Sequence, residues 1–166
     1  MRYLVIAILF LISLILQSTI FSHLTVAGVK PDLVLIMTVF YALLHGSREG
    51  AIAGAIGGLL QDLMFGQNVG MNALAKIIVG YVFGSLEKKI YKENILIPMA
   101  IIFMSTLMSE TVLYLLRQYE GISGGYFGAL RSVIISAAIY NSCLTPFLYG
   151  RFYKSSTKGL LRVTER

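Results

Sequence analysis

Apolar residues run along this chain in six long blocks separated by short polar or glycine-rich breaks. The blocks fall at residues 3–22, 31–44, 49–65, 71–86, 95–116 and 127–150, and each predicts a helix. A membrane crossing uses about 20 residues. Blocks two to four fall short of that, within the mismatch that tilt and local bilayer thinning absorb. Five spans with one re-entrant segment is the alternative reading.

The breaks carry turn chemistry. In GVKPD (28–32), Pro31 is expected at the start of a helix, where its missing N–H costs nothing. HGSREG (45–50) and FGQNVGMN (65–72) are glycine and asparagine turns, and GISGGYFG (121–128) is the longest flexible connection. No interior linker is long enough for a second domain, and the two halves share no clear repeat. The expected fold is therefore all-α, a single six-transmembrane-helix bundle over residues 1–150 with a basic cytoplasmic tail at 151–166.

Composition agrees with a membrane solvent. The 166 residues are 57% hydrophobic and 13% charged, with a mean hydropathy of +0.77. A soluble domain averages roughly 45–50% apolar and about 25% charged. Three prolines and one cysteine exclude collagen-like and disulfide-stapled classes.

The net charge of +6 is a topology signal and not a nucleic-acid signal, because the basic residues flank the apolar blocks. With the N-terminus inside, the cytoplasmic side carries Arg2, Arg48, Lys88, Lys89, Lys92, Arg151, Lys154, Lys158, Arg162 and Arg166. The outer side carries Lys30, Arg117 and Arg131, while Lys76 falls within the fourth block. That asymmetry places both termini in the cytoplasm. The first block lacks a convincing small-residue cleavage site after it, so it reads as a retained span.

Four charges lie inside the apolar blocks: Asp62, Lys76, Glu110 and Arg131. At about 1.5 Å per residue they sit roughly 6, 8, 10 and 6 Å from the outer ends of their spans. Their formal charges cancel. One reading is interior ion pairs, or side chains snorkelling to the outer headgroups. The other is an outward-facing polar cavity lined by these four with Gln61, Asn68 and Asn72 nearby, able to take a small ligand or a partner segment. Asn141, deeper in the sixth block, is expected to hydrogen-bond between helices.

Gly46, Gly50, Gly54 and Gly58 recur every fourth residue, with Gly80 and Gly84 in the next block. Residues four apart share a helix face, and small residues let another backbone approach closely. Such a stripe packs either against a neighbouring helix of the same chain or against a partner's transmembrane helix. The cytoplasmic connection EKKIYKENILIP (87–98) is basic on one side and apolar at Ile90, Tyr91 and Ile95. Anionic lipid explains it, and a cytoplasmic protein is the alternative.

Catalytic motifs fail on inspection. GISGG (121–125) matches G-x-S-x-G, and its GxSG string resembles the nucleophile segment of rhomboid proteases. A nucleophile elbow needs a preceding strand, however, and a rhomboid-like dyad needs a histidine from a later helix. His23 and His45 both precede Ser123. Neither metal-ligand spacing nor a phosphate-binding glycine loop is present, and Cys143 is a lone thiol. No cofactor is expected.

GVKPDLVLI (28–36) and GSREGAIAGAIGGLLQDLMFGQNVGMNAL (46–74), with LQSTIF (16–21) and the basic 87–98 connection, resemble the bacterial rod-shape-determining MreD family. Pro31, Asp32, Gly46, Arg48, Glu49, Gly50, Gly54, Gln61, Asp62, Gly66, Gly70 and Asn72 match its motif positions. The resemblance implies a non-enzymatic inner-membrane scaffold of the cell-elongation machinery. Its implied partner is MreC, beside RodA, the class B penicillin-binding transpeptidase and the MreB filament. It also implies six helices similar to the S components of energy-coupling-factor transporters, with Arg48 and Glu49 fixing the inner turn. The competing class is a substrate-binding S subunit of such a vitamin transporter, which size, span count and the polar cluster also suit.

Overall fold

The computed structural model describes residues 2–23, 25, 29–65, 69–87, 95–119, 128 and 133–158. Along them run α1 (Arg2–His23), α2 (Leu33–His45), α3 (Ser47–Phe65), α4 (Met71–Gly84), α5 (Leu96–Tyr119) and α6 (Ile135–Lys158). The described residues form no sheet. Of these helices, α5 alone is long and apolar enough by itself to cross a membrane, while α2, α4 and the 6–19 part of α1 are shorter apolar helices.

Several helix bounds differ from the expected blocks by one to three residues, and two differences are informative. Pro31 does not start α2. The N-cap is Asp32, whose Oδ1 accepts from the Leu35 N–H at 3.0 Å. A carboxylate that satisfies an orphan N–H is a better helix start than proline's fixed φ, so the helix begins at Leu33. At the other end, α6 runs through position 150 to Lys158, so the first eight residues assigned to a tail are helical. Pro146 lies inside α6 and leaves the Ser142 carbonyl without its usual helical donor.

The centre of the bundle is α2. Ten of its thirteen residues are buried, and Phe40 meets Tyr149 of α6 edge-to-face at a centroid distance of 5.1 Å. The joint between α2 and α3 is the single residue Gly46, at φ +87°, a left-handed backbone that favours glycine. Outward-facing positions are apolar on several helices, among them Leu4, Leu63, Leu96 and Phe147, each more than 60% exposed. Such a surface is inverted for water and suited to lipid.

The tightest seam lies between α3 and α4. A Cβ on Gly50 would stand 2.5 Å from the Gly80 carbonyl oxygen, and one on Gly58 the same distance from the Ala73 Cα. A Cβ on Gly54 would collide with the Lys76 carbonyl, and one on Gly84 would press on Gly46 and Ser47. The glycine stripe therefore packs within the chain, helix backbone on helix backbone.

Candidate functional site

These contacts fix the vertical register of the helices. Gly50, Gly54 and Gly58 face Gly80, Lys76 and Ala73, so α3 and α4 are antiparallel. Gly50 also meets Ala42, and Gly57 meets Val34 and Phe10, which aligns α2 and α1 on the same scale. The N-termini of α2 and α4 consequently stand at one height, opposite about residue 59 of α3. That is six residues, or about 9 Å, below the end of α3.

At this height the polar side chains converge. Lys76 is fully buried and its Nζ stands 2.8 Å from Asp32 Oδ2. The same ammonium faces Asn72 Oδ1 at 3.4 Å. Asp62 is buried and its carboxylate accepts from the Gly70, Asn72 and Ala73 backbone N–H groups at 2.9, 3.2 and 3.1 Å, and from Asn72 Nδ2 at 2.8 Å. A side chain from α3 thus caps the N-terminus of α4, which has no cap of its own. This is where the helix leaves its orphan donors and carries partial positive charge.

The network continues into α6 and α5. The Asp32 N–H donates to Asn141 Oδ1 at 3.0 Å, and Asn141 Nδ2 donates to Thr106 Oγ1 at 3.2 Å. One connected polar system therefore joins α2, α3, α4, α5 and α6. Glu110 stands one turn beyond Thr106, half-buried and within electrostatic reach of Asp32, Lys76 and Arg117.

Of the residues singled out from sequence, the structure brings together Asp62, Asn72, Lys76 and Glu110, and adds Asp32. From sequence, Asp32 belongs to the 28–32 turn, away from the charge cluster. The usable signal was position: a carboxylate at the outer start of one helix lies level with the outer part of the next. Lys76 lies deeper than counting along its own span gives. Because α4 starts lower than α3 ends, its Cα is opposite Gly54, about 16 Å below the end of α3. Gln61 is half-buried beside the cluster, with a buried Oε1 that meets no partner. Arg48 is exposed and Glu49 half-buried in the first turn of α3. Gly46 lies against the Glu87 carboxylate.

Arg131, Asn68, Gly66, the 121–125 string, the basic residues at 88–92 and the end of the tail lie outside the described residues. No group of three or more His, Cys, Asp or Glu side chains among the described residues could hold a metal ion.

The comparisons with known proteins bear on the whole chain. No curated protein and no solved structure matches it, so neither the likeness to transporter S components nor the S-subunit alternative finds support. A family model described as rod shape-determining protein MreD matches residues 1–154. That match covers all six helices except the last four residues of α6, and the chain belongs to the MreD family of rod shape-determining membrane proteins.

Proposed function

We propose that this protein is a non-enzymatic, multi-pass scaffold of the bacterial inner membrane that binds MreC and helps organise peptidoglycan synthesis for rod elongation. The observation that carries the reading is the family match over residues 1–154. The geometry supports it. Lys76 is paired with Asp32, and the Asp62 carboxylate is filled by four N–H donors. The glycines that could have received a partner helix are packed against neighbouring backbone of the same chain. Most of the chain's unusual polar and small residues therefore hold six helices in one shape, which suits a protein whose function is its surface.

In this reading all six helices cross the inner membrane, with both termini in the cytoplasm. MreC supplies the direct contact, and RodA, its class B transpeptidase and the MreB filament are reached through the assembled complex. The test is mild-detergent purification of the tagged full chain from cells with MreC at natural levels. Stoichiometric MreC is the expected result. Its absence from a folded, monodisperse preparation overturns the partner assignment.

A further inference from the structure

Among the described residues, the buried side-chain oxygens that meet no hydrogen-bond partner include Gln17 Oε1 on α1, Gln61 Oε1 on α3 and Ser109 Oγ on α5. In register these three fall close in depth. Phe10 lies against Gly57, and α1 runs parallel to α3, so Gln17 stands opposite about residue 64 of α3. Thr106 is tied through Asn141 to Asp32, which stands near residue 59, so Ser109 falls opposite about residue 62. By this count the three and Glu110 share one layer about a helical turn thick, outward of the N-termini of α2 and α4.

Ser109 is the informative member. It is fully buried, and its hydroxyl makes none of the bonds to its own helix that Ser105, Thr106 and Thr111 make to carbonyls three or four residues back. It belongs to the buried face of α5 with Ser105, Thr106 and Leu113, so it points into the bundle. Buried polar groups are normally satisfied, and several orphans at one depth mark a place where donors are supplied from elsewhere.

The charges in this layer define the donor. Lys76 and Asp32 offset each other, and Asp62 is compensated by the α4 N-terminus. Glu110 remains, with no cation at ion-pair distance among the described residues. An acceptor-rich layer with one carboxyl group that has no ion-pair partner favours a cationic N–H donor.

We propose that this layer is a binding site, entered from the outer face, for a guanidinium or primary ammonium group. Glu110 is its counter-charge, and Gln17, Gln61 and Ser109 accept its hydrogen bonds. The site goes beyond the scaffold reading and does not depend on MreC.

The test uses the purified full chain in detergent, with agmatine as the cationic probe and N-butylurea as its uncharged control. The expected result is a saturable rise in unfolding temperature with agmatine and none with N-butylurea. Glu110→Gln should weaken the agmatine effect at least tenfold, and Ser109→Ala and Gln61→Leu severalfold. An absent effect, or one that survives Glu110→Gln in a folded variant, overturns the site. A tenfold gain in agmatine affinity in Arg131→Gln also overturns it as an external site, by showing that the chain's own arginine fills it.

A photo-crosslinker at position 61 in cells separates the sources of the group. An agmatine-sensitive crosslink to a polypeptide identifies a partner's Arg or Lys. Agmatine binding without such a crosslink identifies a free amine. Loss of MreC from the purified complex would leave both results standing.

Discussion

Lys76 and Asp32 form an ion pair of 2.8 Å between two helices that are not adjacent in sequence, with the lysine wholly removed from solvent. Breaking such a pair by removing one partner leaves an uncompensated buried charge, which costs about 3–5 kcal/mol. Lys76→Met should therefore destabilise the purified protein by about that amount in a reversible unfolding measurement. Asp32→Asn keeps a competent N-cap for α2 and tests the charge alone. The double variant Lys76→Met/Asp32→Asn should recover much of the single-variant loss. Strict additivity of the two losses would show that the residues are not coupled.

Asp62 works differently, although it is also a buried carboxylate. Its partners are the backbone donors at the start of α4 and one asparagine side chain. Asp62→Ala leaves those N–H groups unsatisfied, and a lost cap costs about 0.5–2 kcal/mol, more where the acceptor was charged. The loss should be local first. Hydrogen exchange at Gly70, Asn72 and Ala73 should accelerate more than exchange in α2 or α5. Asp62→Asn, which keeps one acceptor, should fall between.

The contrast shows what the sequence carried. Apolar blocks located the six helices described, because burial and lipid exposure both demand long apolar runs, and four-residue glycine spacing marked the α3–α4 seam. Depth estimates brought Asp62, Lys76 and Glu110 into one group. They could not supply Asp32 as the partner of Lys76, because that depends on α2 and α4 starting at the same height, a tertiary register set by Gly54 and Gly57. Nor could they show that Asp62 caps a helix from outside it, since capping patterns are local in sequence and this one reaches back eight to eleven residues.

Two glycines test packing against conformation. A methyl at Gly54 would collide with the Lys76 backbone, whereas one at Gly70 would meet open space. Gly54→Ala must push α3 and α4 apart, and overpacking of this kind costs about 1–3 kcal/mol. Gly70→Ala pays only for its φ of +107°, about 1–2 kcal/mol. Cross-linking between introduced cysteines on α3 and α4 should slow in Gly54→Ala and stay unchanged in Gly70→Ala. Equal effects on cross-linking would refute the close-packed seam.

The orientation assigned from the basic residues can be tested by reporters, because the register makes each connection's side specific. If α3 runs outward and α4 returns, an alkaline phosphatase fused after position 67 should be active and a fluorescent protein fused there dark. Fusions after position 90 or after position 166 should give the reverse. Replacing Lys88, Lys89 and Lys92 with glutamine removes part of the charge bias that holds the inner connection in place, so it should raise phosphatase activity at position 90. The fusion after position 67 is the decisive one. An inactive phosphatase there, in a fusion shown to be inserted and full-length, would turn α3 and α4 into a hairpin that enters and leaves on the cytoplasmic side. Such a hairpin would put the Asp32–Lys76 pair at the wrong depth for a site open to the outer face.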